Sequence, residues 1–317
     1  MPWNDRVKRR LKLRDLDILM AVARTGSMGN AARRLHMSQP AVSKAIGDLE
    51  FATGVRLLDR SRQGAEPTPY GLALLKRGVV VFDELRHGIQ DIDFLADPTA
   101  GELRIGATEP IAAAIVAPVI ERFNQQYPRM RFHVTSGDTE TQLYKNMLER
   151  DIELVISRIA RPVPDNYSAE TLFHDSLVVA AGAENPLTRR RRIELAELMD
   201  EAWVLQPLDS FFGALVAEAL RAAGLAAPRL AVNATSLNLR NEMLATGRFL
   251  TVVPGFSLRL PRKHTSLRAL PVDLPKMQHP IGIITLKDRS LSQLAQLFIE
   301  RVRKITKPLA GNQQSVR

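Results

Sequence analysis

Residues 27–54 contain two short helical patterns that meet at a polar break, and this stretch constrains the fold more than any other. The break lies at residues 36–38. Ser38 is suited to cap the second helix, and Pro40 is tolerated in its first turn. In both patterns apolar residues recur at steps of three and four, as expected for one buried helix face. These residues are Ala31, Ala32 and Leu35 in the first pattern, and Val42, Ala45, Ile46 and Leu49 in the second.

The face opposite the second apolar stripe is small and polar. At about 100° per residue, this face carries Pro40, Ser43, Lys44 and Gly47. The major groove of B-DNA is about 12 Å wide and admits one helix with its polar side chains, so the face suits DNA reading. The alternative is any small three-helix domain with a solvated face, because the spacing is common by chance. Periodicity alone leaves both interpretations open.

The residue identities distinguish between these interpretations. The run SxxxAARRLHMSQPAVSKAIGDLE, continued by GVRLLDRSRQGAEPTPYG up to residue 71, resembles the N-terminal signature of LysR-type transcriptional regulators. Thr53, Leu58 and Pro67 depart from the usual family residues, and these departures concern packing. The resemblance implies an α+β multi-domain chain with an N-terminal winged helix-turn-helix, a long linker helix and a C-terminal α/β effector domain. That effector domain would comprise two periplasmic-binding-protein-like subdomains.

The charge of the chain is concentrated at its N-terminus. The 317 residues carry a net charge of +10, and residues 1–65 contain 13 Lys and Arg against 6 Asp and Glu, a difference of +7. Such a basic segment beside a nearly balanced remainder indicates nucleic-acid binding. There is no cysteine, which excludes disulfides and thiolate chemistry, and the six His have no metal-binding spacing. Neither a signal peptide nor a membrane span is expected, so the prediction is a cytoplasmic protein without cofactor or metal.

The candidate DNA-binding residues follow from the match to SQPAVS and from the helical wheel. Residues 13–25 are expected to form the first helix, which stops at Gly26. Residues 57–68 alternate around a turn at Gln63-Gly64 and predict a small hairpin, the wing. Arg60 and Arg62 lie on one side of its first strand, where a solvated strand edge is the alternative. The candidate contacts to double-stranded DNA are Gln39, Pro40, Ser43, Lys44, Arg34, Arg60 and Arg62.

Residues 69–95 predict one long helix without an internal proline. Its apolar residues recur at steps of three and four, and a long helix with one stripe usually packs against another helix. The resemblance implies that this linker helix pairs two chains in a homodimer or homotetramer, whereas a core helix of the second domain is the alternative. The stripe consists of Leu72, Leu75, Val79, Phe82, Leu85, Ile89 and Ile92.

From Glu102 onwards, short strands alternate with helices, which predicts α/β units around mostly parallel sheets. Strands are expected at 103–106, 131–136, 153–157, 176–181, 202–206, 230–233 and 250–253. Helices are expected at 111–127, 140–150, 210–223, 237–246 and 291–305, and another after the four-arginine run 189–192, beginning at Ile193.

The resemblance implies where the domains divide. The winged helix-turn-helix would span 1–71, the linker helix 72–97 and the inducer-binding domain 98–310, followed by a flexible tail at 311–317. Subdomain I would comprise about 102–172 and 281–307, and subdomain II about 173–280. The chain would cross between subdomains near Leu172 and return near Ile281.

Polar residues at strand ends are the candidate inducer contacts. In α/β sheets ligands bind at the carboxyl ends of strands, where loops and helix N-termini converge. Each residue has an ordinary N-cap as its alternative. Glu109 would repel a carboxylate unless Arg248 or another cation compensated, so a neutral sugar is slightly favoured over an organic acid. The candidate residues are Thr108, Glu109, Ser136, Thr139, Gln206, Thr235 and Ser236.

Two other functions compete with a ligand-controlled DNA-binding regulator. A solute-binding protein without a DNA role would share the α/β part, but the leading 100 residues argue against it. An enzyme is disfavoured because the sequence contains no GxxxxGK[ST], GxGxxG or GxSxG motif. For a regulator, RNA polymerase is a further candidate partner, and no membrane partner is expected.

Overall fold

The computed structural model describes residues 11–61, 64–137, 140–260, 267–275 and 278–311. The chain separates into two compact units, with the division between Ile89 and Gln90. This division falls inside a long helix, whereas the sequence predicts a separate linker at 72–97. In the described ranges no helix is long and apolar enough to cross a membrane.

The first unit contains three helices and a two-stranded hairpin, followed by the long helix. Gly26 ends the first helix at φ +66, a left-handed conformation that glycine adopts without steric cost. Ser27 and Ser38 cap the next two helices, accepting hydrogen bonds from the N–H groups of Asn30 and Ala41. The elements are α1 (Leu13–Thr25), α2 (Met28–Arg34), α3 (Gln39–Thr53), β1 (Leu58–Ser61), β2 (Gly64–Pro67) and α4 (Pro69–Ala96).

The three short helices share one apolar core. The predicted stripe of α3 is buried, and Val42, Ile46 and Leu49 are fully enclosed. They belong to one cluster with Leu19 and Val22 of α1. The two strands pair antiparallel as predicted for the wing, so the structure confirms the winged helix-turn-helix.

The apolar stripe of the long helix α4 is packed in its N-terminal part and mostly exposed in its C-terminal half. Leu75 and Phe82 pack against the helix-turn-helix core. A different set of apolar side chains is exposed to solvent and lies at steps of four and three along the C-terminal half of the helix. This exposed stripe consists of Val81, Leu85, Ile89, Ile92 and Leu95. Of the predicted stripe, Leu75 and Phe82 are thus covered within the chain, whereas Leu85, Ile89 and Ile92 are exposed.

The second unit contains two five-stranded sheets with helices. A helical segment, α5, joins Glu109–Ile111, a π-helical turn Ala112–Val116, and Ala117–Gln126. The strands are β3 (Ala100–Ala107), β4 (Arg129–Ser136), β5 (Leu154–Arg158), β6 (Tyr167–Asp175), β7 (Leu177–Gly182), β8 (Trp203–Leu205), β9 (Leu230–Asn233), β10 (Leu250–Pro254), β11 (Leu267–Ala269) and β12 (His279–Leu286). The remaining helices are α6 (Glu140–Leu148), α7 (Phe211–Ala222), α8 (Leu237–Ala245), α9 (Phe256–Arg259) and α10 (Gln293–Gly311).

Both sheets combine parallel and antiparallel pairs. The strand order is β4-β3-β5-β12-β6 in the first sheet and β11-β7-β10-β8-β9 in the second. In each sheet, three neighbouring strands are parallel, and the pairs beyond them are antiparallel. The expectation of mostly parallel sheets is therefore only half right. Strand β12 forms the antiparallel pairs of the first sheet, with β5 and β6, and β7 forms those of the second sheet, with β10 and β11. The sequence analysis did not predict strand β6.

The chain crosses between the two sheets later than expected near Leu172. Strand β6 continues to Asp175 in the first sheet, and β7 begins at Leu177 in the second, so the crossing lies at Ser176. The return falls between Ala269 and His279, ahead of the expected Ile281.

The segment around Ile193 and the C-terminal end of the chain differ in part from what the sequence predicts. The helix expected to begin at Ile193 is absent, since Ile193 forms a β-bridge with Val272 and a short 3-10 helix follows at Leu195–Leu198. Another 3-10 turn, Pro186–Arg189, includes the first residue of the four-arginine run. Of the tail expected at 311–317, Gly311 ends α10, and the rest lies outside the described residues.

Asp175 connects the crossing to helix α9. Its carboxylate accepts hydrogen bonds from the Phe256 N–H at 2.8 Å and from the Arg259 guanidinium at 2.6 Å. Burial raises the pKa of Asp175, while Arg259 and the Phe256 N–H act in the lowering direction. Phe256 in turn packs edge-on against Phe173 in the core of the first sheet. Residues just beyond β10 of the second sheet are thus attached to the first.

Replacing Asp175 by alanine should destabilise the effector part of the chain. The variant leaves the buried Phe256 N–H and the Arg259 side chain without their acceptor, which costs about 1 to 3 kcal/mol. Urea unfolding followed by circular dichroism measures the loss. The matched control is Asp165→Ala, at an exposed position, which should stay within about 0.5 kcal/mol of the parent. Equal stability of the two variants would contradict the structural role of Asp175.

Candidate nucleic-acid interface and ligand cleft

The first turn of α3 presents the predicted reading residues to solvent. Gln39, Pro40 and Lys44 are exposed, and Ser43 is half-buried. The Gln39 side-chain oxygen lies close to Gly29 of α2, at 3.7 Å from the position a Cβ would take there. The core thus buries the opposite face of α3 and leaves these side chains accessible to solvent.

The wing approaches the reading helix through Arg60. Its guanidinium donates to Ser43 Oγ at 3.4 Å and lies 3.6 Å from Glu50 Oε2. The structure therefore brings Arg60 and Ser43 together, while Arg34 is exposed on α2. Arg62 lies outside the described residues.

Glu50 fixes the approach of the wing, and the sequence analysis did not identify it. Its Oε1 accepts hydrogen bonds from the N–H groups of Leu57 and Leu58, at 2.8 and 3.3 Å. Both donors lie at the start of the wing. One carboxylate thus contacts the wing backbone and an exposed wing arginine at once. In the sequence, only the position of Glu50 near the end of α3 pointed to a contact with the following wing.

A cavity of about 260 Å³ lies among the strand ends of the second unit. Ligand pockets span roughly 300–1,000 Å³, so the cavity suits a small metabolite. It is lined from both sheets and by the loops and helix starts that follow their strands. The lining residues are Thr108, Glu109, Pro110, Ile111, Gly137, Arg158, Gln206, Ser210, Phe212, Thr235, Leu237, Pro254, Phe256 and Ile281.

Four of the predicted inducer residues meet at this cavity, namely Thr108, Glu109, Gln206 and Thr235. The Thr108 hydroxyl makes no capping hydrogen bond, although Thr108 precedes a helix. Ser136 ends β4 outside the lining, where its neighbour Gly137 takes part. Ser236 instead caps α8, accepting from the Leu239 N–H at 3.3 Å, as its N-cap alternative predicts. Thr139 lies outside the described residues.

Arg158, Ser210 and Phe256 were missed by the sequence analysis. Arg158 is the last residue of β5, so its place at the cavity depends on the sheet order, which no local pattern shows. Ser210 had a local signal as the N-cap of α7, where it also donates to Gln206 at 3.5 Å. Phe256 arrives from the return segment after β10.

The described lining carries one charge of each sign. Glu109 lies just after β3, and Arg158 is the last residue of the neighbouring parallel strand β5. Ala107 of β3 pairs with Ile156 of β5. Burial lowers the pKa of His279, and the positive charge of Arg158 lowers it further, while Glu218 acts in the raising direction. Arg248, suggested earlier as a compensating cation, lies instead over the Phe249 ring.

One group of three metal-ligand residue types occurs in the described part of the chain. Asp83, Glu84 and His87 share one turn of α4, with ligand atoms within 4.8 Å of one another. His87 Nε2 lies 3.9 Å from Asp83 Oδ1. All three side chains make further interactions, so we assign them no metal role.

Two protein-family models match the chain in the same order as its two units. Residues 13–72 match the bacterial regulatory helix-turn-helix protein of the lysR family. Residues 96–306 match the LysR substrate-binding domain. A reading helix joined to a ligand-binding domain defines a DNA-binding transcriptional regulator with an effector domain. The chain belongs to the LysR-type transcriptional regulators, which confirms the predicted family, fold class and function.

The chain aligns with its relatives and with solved structures over nearly its full length. The chain is 29% identical to the HTH-type transcriptional regulator GbpR of Azospirillum brasilense, over 95% of this chain and 89% of that protein. It is 28% identical to the transcriptional dual regulator GltC of Bacillus subtilis, over 92% and 96%. Full-length OxyR from Pseudomonas aeruginosa shares the fold with a TM-score of 0.66 at 21% identity, covering 97% and 99%. Full-length CbnR in complex with its target DNA gives 0.52 at 23%, covering 93% and 100%.

Proposed function

We propose that the first turn of α3 reads base edges in the major groove while the wing contacts the backbone. The observation that carries the proposal is the exposed first turn, with Gln39, Pro40 and Lys44 on a helix whose opposite face is buried. Gln39 can donate to and accept from a base edge, and half-buried Ser43 permits close approach. Arg34 and Arg60 supply charge for phosphates. Full-length CbnR, solved on its target DNA, shares the fold.

Gln39→Ala should weaken binding to cognate DNA by about 1 to 3 kcal/mol and leave random DNA nearly unchanged. Fluorescence anisotropy on the DNA upstream of its own gene and on a random duplex measures both affinities. Arg34→Ala is the comparison, because loss of a phosphate contact from this exposed residue should weaken both duplexes equally. An equal loss on both duplexes for Gln39→Ala would assign Gln39 to the backbone and contradict base reading.

We further propose that the exposed stripe of α4 pairs two chains, giving a homodimer or a homotetramer. A continuous apolar stripe on a solvent-exposed helix face indicates a protein interface. A pair related by a two-fold axis needs half-sites at multiples of about one helical turn.

Leu85→Asp with Ile89→Asp should dissociate the pair, because each substitution buries a charge in the proposed interface. Light scattering of the purified chain measures its mass. The substitutions avoid Phe82, since that side chain packs in the helix-turn-helix core. Arg86→Asp, at an exposed position on another side of α4, changes the net charge equally and should leave the mass unaltered. A double variant of parental mass would exclude the stripe as the interface.

The cleft is proposed to bind a small-molecule inducer without metal or covalent chemistry. Four hydrogen-bonding side chains line it, Thr108, Gln206, Ser210 and Thr235, together with aromatic rings. The lining carries one negative side chain, Glu109, and one positive side chain, Arg158, so it has no net charge that would select an anion. We therefore favour a sugar over an organic acid. The ligand would shift the population of subdomain arrangements, which requires unequal affinity for the two states.

In a thermal-shift screen, neutral sugars should raise the melting temperature more than small organic acids do, because a ligand stabilises the state that binds it. Gln206→Leu should abolish the shift, whereas Gln125→Leu, at an exposed position on α5, should preserve it. Stabilisation by acids alone, unchanged in Glu109→Gln, would contradict the preference for sugars.

The protein acts in the cytoplasm, where bacterial DNA is found, and RNA polymerase is a candidate partner on the promoter. It is not an enzyme, in keeping with relatives that are transcription regulators. A solute-binding protein without a DNA role is the competing function. Gel retention of the DNA upstream of its own gene separates the two, since only a regulator retards that DNA.

A further inference from the structure

Glu50 contacts two parts of the wing with one carboxylate. Oε1 accepts both backbone N–H groups at the start of the wing, and Oε2 lies 3.6 Å from Arg60. The Glu50 side chain is 19% exposed, and that of Arg60 is 46% exposed. The two backbone hydrogen bonds therefore hold the carboxylate in place, while the arginine remains accessible to DNA.

The ion pair itself contributes little to stability. Exposed pairs of this kind are worth roughly 0 to 1 kcal/mol, because water screens them and the side chains lose freedom. Its effect is on the orientation of the arginine. Arg60 also donates to Ser43 Oγ, so its charge is directed towards the reading face of α3.

We infer that Glu50 is a positioning residue for DNA recognition, which holds Arg60 beside the reading helix and away from backbone phosphates. The inference rests on the proposed DNA interface. On random DNA, a phosphate must compete with the Glu50 carboxylate for the guanidinium. Non-specific binding therefore stays weak, and Arg60 contacts a phosphate only at a site where α3 is correctly placed.

The test is the salt dependence of binding to random duplex DNA. Glu50→Gln keeps an oxygen that accepts from the Leu57 and Leu58 N–H groups but removes the charge that restrains Arg60. The slope of log affinity against log salt should become steeper by up to about 0.9, the value for one added phosphate contact. The ratio of cognate to random affinity should fall. An unchanged melting temperature shows that the wing remains folded.

Two further variants separate positioning from a general charge effect. Glu66→Gln removes the same charge from an exposed wing residue and should leave the slope unchanged. In an Arg60→Gln background, Glu50→Gln should have no effect on the slope. A steeper slope that persists without Arg60, or a parental slope in Glu50→Gln, overturns the inference. On cognate DNA, Arg60→Gln alone should make the slope shallower by up to about 0.9, and an unaltered cognate slope would contradict the proposed phosphate role of the wing independently of Glu50.

Discussion

The reading helix is held in place by its apolar side. Val42, Ile46 and Leu49 are fully buried against the two preceding helices. Because this stripe faces the core, the opposite side of α3 faces outwards, and it includes the exposed Gln39 and Pro40 of the first turn. The caps at Ser38 and Gly54 set where the helix begins and ends. Glu50 then fixes the wing relative to that helix through two backbone hydrogen bonds. The outward position of the proposed DNA-contacting residues is thus a consequence of core packing on the opposite face of α3.

The position of the cleft in the second unit follows from the strand order of its two sheets. Each sheet has three parallel strands, whose carboxyl ends collect loops and helix starts. Asp175 and Phe256 attach the crossing to the return segment, and Phe256 also lines the cleft. A ligand there would contact residues from both sheets and a residue that joins them. This arrangement gives a physical basis for the proposed shift between subdomain arrangements.

The sequence predicted the parts of the structure that depend on local periodicity and capping. Helix α1 was predicted with both of its ends, because Gly26 marks its stop. The α3 stripe was predicted because every third or fourth residue is apolar. The sequence did not show which part of the α4 stripe is covered, since Phe82 and Leu85 share the helical spacing and only tertiary packing buries one and exposes the other. In the cleft, Thr108 and Gln206 were predicted from strand ends, whereas Arg158 and Phe256 depend on sheet order and on a return crossing, which are not local properties.

Hydroxyl-radical footprinting of the full chain on the DNA upstream of its own gene tests most directly the claim that paired copies of α3 read DNA. We expect two protected patches on one face of the duplex, separated by a multiple of about one helical turn. Replacing Gln39 by alanine should weaken both patches together at a fixed protein concentration, because each paired copy loses the same base contact. Uniform protection along the duplex, or a single patch that Gln39→Ala leaves unchanged, would contradict the account.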